Sequence, residues 1–143
     1  MRRLKQAHLA ADAKIKRAVN DIIVSKTFDN GMICASEQGA IVDAAVYDEV
    51  KAEFEAHQCV IISKKADIAK LEKAVLNEAR TAVNGAIVGH SAVEIAEKAG
   101  IKVPAGTKML LAEIPDATME HPLALEKLSP VLALIKSDGV EDG

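Results

Sequence analysis

Apolar positions recur along this chain at two periods. Over the first 24 residues they fall three and four apart: Leu4, Ala7, Ala11, Ile15, Ala18, Val19, Ile22 and Ile23. That spacing lines one face of a helix, so a single helix is expected over residues 1–24. A tight Asp29-Asn30-Gly31 turn follows soon after. Gly39 to Val42 reads as a short strand bounded by Asp43, and Ala44 to His57 as an amphipathic helix with Val46, Tyr47, Val50 and Phe54 on one face. Cys59 to Ile62 is a compact run rich in β-branched residues, which suits a buried strand.

The alternation continues. A second long helix is expected from about Lys65 to Ala82, with Ile68, Leu71, Val75, Leu76 and Ala79 on its apolar side. Gly85 to Gly89 is a short apolar run between glycines, and a lone glycine pair reads as strand punctuation rather than as a phosphate loop. Ser91 with Glu94 three residues on has the form of a capping box, and the helix it opens stops at Gly100. Thr107 to Ile114 and Ser129 to Lys136 read as strands, separated by a polar stretch holding Pro115, His121 and Pro122. Strands alternating with helices predict an α/β layered domain with a largely parallel sheet. No repeat, low-complexity tract or linker divides it. Both ends read as unfinished: the first helix lacks a preceding strand, and the last strand runs into a short polar tail. The expectation is an excerpt of a longer protein.

Composition narrows the classes. The 143 residues suit one domain, and half of them are hydrophobic. Aromatic residues make up only 2 % with no Trp, so the core must be built from Ala, Val, Ile and Leu. The net charge is −3 with both signs interleaved, which argues against a nucleic-acid backbone binder. One basic cluster, Arg2, Arg3, Lys5, Lys14, Lys16 and Arg17, reads as the solvated face of a helix. No apolar run is long enough to span a membrane, and no apolar segment follows the basic start as in a secretory signal. Cytoplasm is the default expectation, with Cys34 and Cys59 as reduced thiols.

The chemistry centres on "SKTFDNGMICASEQ", Ser25 to Gln38. Cys34 has two readings. Free cysteine is among the most buried residue types, so it could be a small hydrophobe. It could also be a nucleophile, because Gly31 permits a tight turn and a helical turn starting at Cys34 would aim backbone N–H groups at the sulfur or at an oxyanion beside it. Cys59, inside an apolar strand pattern, reads as core. His8, His57, His90 and His121 show no ligand spacing, so no metal site is expected. Glu37 would raise rather than lower a nearby thiol pKa and reads as structural.

The same segment resembles the active-site segment of the CoA-acylating aldehyde dehydrogenases, in particular the aldehyde dehydrogenase half of the bifunctional aldehyde-alcohol dehydrogenases. Where that superfamily has Phe-Asn-x-Gly-x-x-Cys, this chain has Phe28, Asp29, Asn30, Gly31, Met32, Ile33 and Cys34. The Ala-Ser-Glu-Gln tail marks the acylating branch. "IKRAVNDIIVSKTFDNG", "NGAIVGHSAVEIAEKAGIKVPAGTKMLLAEI" and "HPLALEKLSPVLAL" follow the family in the same order, so the resemblance covers roughly residues 15–143.

The resemblance implies an α/β layered αβα catalytic domain of the aldehyde dehydrogenase fold, truncated at both ends. Residues 1–143 would be one partial catalytic domain, and residues 1–14 a non-matching extension of the first helix. The nucleotide-binding domain would be absent, along with the upstream asparagine that completes the oxyanion hole. It implies oxidation of an aldehyde by NAD to an acyl thioester on Cys34, passed on to coenzyme A, with the Cys34 N–H as an oxyanion donor. It places Phe28, Asn30 and Gly31 in the active-site turn. Glu126 of "EKLSP" stands where the superfamily's Glu-x-Phe-Gly-Pro glutamate holds the nicotinamide ribose; Leu128 and Ser129 replace the aromatic and the glycine. Partners would be a small aldehyde and CoA, with a homo-oligomer or the rest of the enzyme; no nucleic acid, membrane or metal is implied. The alternative is a truncated, non-catalytic remnant or oligomerisation module of the same family.

Overall fold

The computed structural model describes residues 6–10, 14–32, 37–115, 123 and 127–138. Strand β1 (Gln6–Leu9) leads to helix α1 (Ile15–Thr27), then β2 (Gly39–Asp43), α2 (Tyr47–Ala56), β3 (Cys59–Ile62), α3 (Lys65–Val75), α4 (Ala92–Ala99), β4 (Met109–Glu113) and β5 (Val131–Ser137). The five strands form one sheet in the order β1-β2-β5-β4-β3, and every pairing is parallel. The parallel α/β reading of the sequence is therefore correct.

Alternation along the strands sorts side chains to two faces. Val42, Leu111, Leu132 and Leu134 pack with Val19 and Ile22 of α1 and Val50 and Phe54 of α2. Leu110, Ala112 and Val131 pack on the opposite face with Leu71 and Val75 of α3 and Ile95 and Ala96 of α4. Strands β4 and β5 are buried on both faces, which is why they read as unbroken apolar runs. Each fully buried Leu, Val or Phe contributes roughly 1.5–3 kcal/mol by leaving water.

Three expectations are corrected. The first 24 residues are not one helix: Gln6–Leu9 is an edge strand beside β2, with Ala7 opposite Ala40 and Leu9 opposite Val42. Ala7 and Leu9 share a face with α1 while His8 is exposed, a period of two hidden inside a run that also matches a helix. Residues 6–9 are therefore not an extension of the first helix. The helix after β3 ends at Val75 instead of continuing to Ala82. Asn77 is the reason: its Oδ1 accepts the N–H groups of Thr81 and Ala82 at 2.9 and 3.3 Å, offering the backbone a local alternative to the helix. Asn84 completes the return, donating its N–H to Val75 O at 2.7 Å and its side-chain amide to Ala74 O at 3.2 Å.

The run Gly85–Ile87 is a 3-10 turn capped by Asn84 rather than strand punctuation. Helix α4 has the expected capping box of Ser91 and Glu94, and Gly100 closes it at φ 76°.

Candidate active site

Helix α1 returns the chain to the amino end of the sheet and ends in a sharp turn. Three consecutive residues make that turn with left-handed backbones: Asp29 at φ 50°, Asn30 at φ 52° and Gly31 at φ 74°. Asp and Asn are the side chains that tolerate this region best, and glycine occupies it freely. Gly31 is required for a second reason. A Cβ there would lie 2.5 Å from the carbonyl carbon and oxygen of Ser129 and 2.9 Å from Lys26 O. The turn is thus pressed against the approach to β5. Asn30 fixes it from another side, its Nδ2 donating to Gly89 O at 3.0 Å.

Phe28 is 61 % exposed at the end of α1, in line with exposed Val24 and Met32. A cleft of about 420 Å³ opens beside Val24, lined also by Thr27 and Asn30 and by His57, Ser91 and Lys108.

Cys34 and Glu126 lie outside the described residues. Their neighbours along the chain are described, and they meet. Gln38, four positions after Cys34, is buried ahead of β2. Its Oε1 accepts Lys26 Nζ of α1 at 3.2 Å and the backbone N–H of Lys127 at 3.0 Å, a residue 89 positions away. Its carbonyl accepts Lys127 Nζ at 2.8 Å and Ala133 N–H at 3.1 Å. Lys127 Nζ also donates to Leu123 O. Both lysines are fully buried. Burial first, and the Lys26 charge second, hold the Lys127 amine well below the usual lysine range.

The backbone beside this junction is strained. Leu128 has φ 43°, and with Asp29 and Asn30 it supplies three of the five non-glycine residues with positive φ among those described. Left-handed backbone at a leucine costs about 1–2 kcal/mol and persists only where packing enforces it, a pattern found at functional sites. Ser129 Oγ is buried with no hydrogen-bond partner among the described residues.

Of the predicted site residues, Phe28, Asn30 and Gly31 lie in the 3-10 turn Phe28–Gly31. The lysine–glutamine junction was missed. Its signal was present: Val19, Ile22, Ile23 and Lys26 share the buried stripe of α1, so a lysine sits where an apolar residue belongs. Cys59 is buried core as expected, its thiol reaching His57 O at 3.8 Å. His57 pairs with Glu53 at 3.1 Å and His90 with Glu94 at 2.7 Å. No cluster of potential metal ligands occurs among the described residues.

No protein-family model matches the chain. An aldehyde-alcohol dehydrogenase of Clostridium acetobutylicum is 48 % identical over 130 residues, covering 91 % of this chain. The structure of an acetylating aldehyde dehydrogenase from Geobacillus thermoglucosidasius superposes with a TM-score of 0.90 at 36 % identity, over 96 % of this chain. This chain belongs to the acylating aldehyde dehydrogenase family. A propionaldehyde dehydrogenase of Rhodopseudomonas palustris, solved with bound propionyl-CoA, matches at a TM-score of 0.86 and 28 % identity over 97 % of the chain. The chain spans 15 % of the Clostridium relative's length and 30 % of each of these two structures.

Proposed function

We propose that this chain is the thioester-forming segment of an acylating aldehyde dehydrogenase, with Cys34 as the nucleophile. The observation that carries the reading is the junction just described: the sequence neighbours of Cys34 and of Glu126 are held together by buried hydrogen bonds and by the Gly31–Ser129 contact. The family chemistry needs those two residues side by side, one forming the thioester and one holding the hydride acceptor.

In this reading the Cys34 thiolate attacks the aldehyde carbonyl carbon. A C–S bond forms, and the carbonyl π pair moves to oxygen, where the Cys34 backbone N–H donates to the developing oxyanion. When bound, NAD supplies the acceptor for the hydride that leaves the same carbon. The Cys34 thioester that results is attacked by the thiolate of CoA, which takes the acyl group and releases the cysteine. The balance is aldehyde, CoA and NAD⁺ to acyl-CoA, NADH and a proton, and it is reversible.

Glu126 is the residue of this chain assigned to the ribose of NAD. The fit rests on its neighbours: Lys127 is anchored and buried and Leu128 is held in a strained backbone. A segment fixed in this way can present a carboxylate at one position. Phe28, exposed at the start of the turn that holds Asn30 and Gly31, is assigned to the aldehyde side. The CoA assignment is supported by the propionyl-CoA held in the Rhodopseudomonas relative.

The test is intact-mass spectrometry of the chain after incubation with acetyl-CoA, beside Cys34→Ser. An acetyl adduct on the native chain and none on the variant is expected. A folded native chain that takes up no acetyl group would leave the non-catalytic remnant as the better reading.

A further inference from the structure

The Lys26–Gln38–Lys127 cluster makes and breaks no bond in the chemistry above, yet with Ser129 it holds the most deeply buried polar side chains among the described residues. Both lysines and Gln38 are at most 1 % exposed. Burying an amine is unfavourable unless its donors are used. Here they are used on groups of special position. Lys127 donates through its amide and its Nζ to the two oxygens of one residue, Gln38. Lys26 reaches the same side-chain oxygen from α1. Three segments therefore converge on Gln38: the end of α1, the start of β2 and the approach to β5.

Those segments hold defined relations to the chemistry. Lys26 precedes Cys34 by eight positions, Gln38 follows it by four, and Lys127 follows Glu126 by one. An apolar trio would fill the same volume, as the rest of the core does with Leu, Ile and Val. What hydrogen bonds add over apolar contact is direction, since a donor fixes its acceptor in angle as well as distance.

We propose that Lys127 is a positioning residue for the thioester chemistry, locking the segment that carries Cys34 to the segment that carries Glu126 through Gln38. The inference rests on the acylating reading of Cys34 and names how its geometry is held. Lys127 acts through the loop and touches no reacting atom itself.

The test uses the full chain in a Cys59→Ala background, so that Cys34 is the single thiol. The rate of Cys34 alkylation by iodoacetamide is followed across pH by mass spectrometry, with thermal melting recorded for each variant. Iodoacetamide needs neither NAD nor CoA, so this readout works whether or not the chain accepts an acetyl group. Failure of acyl transfer would count against the proposed function alone. Lys127→Met keeps the stem and removes the donors. The expected result is an upward displacement of the alkylation midpoint by about half a pH unit or more, roughly threefold in rate near neutrality. Gln38→Met should show a similar displacement, and the double variant no more than the larger single change, because the pair acts as a unit. If Lys127→Met does not fold, Lys26→Met and Gln38→Met each remove part of the network and serve in its place. A melting temperature that falls while the alkylation profiles superimpose would overturn the proposal and leave the cluster as packing only.

Discussion

The two ends of the parallel sheet carry polar side chains in opposite ways. At the carboxyl end, Lys51, Glu113 and Lys136 gather at the rim around the buried Tyr47. Lys51 pairs with Glu113, and the ammonium groups of Lys51 and Lys136 each stand 5.5 Å from the Tyr47 ring centroid. Burial first, then the Glu113 and Asp48 charges, push the Tyr47 phenol well above its ordinary value. At the amino end, Lys26 and Lys127 are fully buried, and their described hydrogen bonds run to amide and carbonyl oxygens. Ligands of open α/β sheets ordinarily bind at the carboxyl ends of the strands. Here the strained backbone and the obligate glycine gather at the amino end, in the stretch of chain that leads to Cys34. Topology alone points to the carboxyl end, whereas the local chemistry of the Asp29-Asn30-Gly31 turn points to the amino end.

The largest effect that would break this contrast is expected at Gly31. Gly31→Ala places a methyl group against the Ser129 backbone and forces a left-handed alanine, a combined cost of about 3 kcal/mol or more. A melting temperature lowered by more than about 10 °C is expected for a domain of this size. Gly85→Ala, with nothing within 4 Å of its added Cβ, is the control and should change stability by less than about 0.5 kcal/mol.

Next comes Asn30→Ala, which removes the bond to Gly89 O and the side chain that best tolerates φ 52°. A loss of about 1–2 kcal/mol is expected from urea unfolding. The carboxyl-end cluster should respond less. Lys51→Met removes one partner of a pair whose side chains are 26 % and 23 % exposed, and about 0.5–1 kcal/mol is expected, shrinking as salt is added. A larger loss at Lys51 than at Asn30 would reverse the comparison.

pH sharpens it further. The folded Lys127 amine loses its proton at a lower pH than the unfolded one, whose ordinary value is 10.5. Unfolding therefore takes up a proton between the two values, so stability falls as pH drops from 10.5 toward the folded value. Cys59 runs the other way. Burial, partly offset by Lys108, raises its thiol from 9.0 to about 11, so its contribution is complete below pH 9 and lost as pH rises through about 11. Urea midpoints measured across the alkaline range should rise less steeply with pH in Lys127→Met than in the native chain. In Cys59→Ala the decline above pH 9 should be reduced. Parallel curves for all three proteins would contradict the assigned burials.

Much of this was legible in the sequence because local and tertiary signals agreed. Ser91, Glu94 and Gly100 bracket α4 by backbone chemistry that no neighbour needs to enforce. Strands β4 and β5 are doubly buried and read as apolar runs. The failures came where two signals competed. Residues 6–9 fit both a helical and a strand period, and pairing with β2 settled it. Asn77 lies on a helical pattern but bonds to its own following loop. The buried lysines were hidden for a different reason. A lysine on a helix is normally solvated, and the contact between Gln38 and Lys127, 89 residues apart, is not visible in any local pattern.

The most direct test of the account follows the acyl group itself. The chain is incubated with acetyl-CoA, freed of excess reagent, and split into two portions, one of them chased with free CoA. Peptide mapping then locates the label. The account predicts acetyl on the peptide containing Cys34, none on the peptide containing Cys59, and loss of the label in the chased portion. Acetyl on Cys59, or a Cys34 adduct that free CoA does not remove, would contradict it.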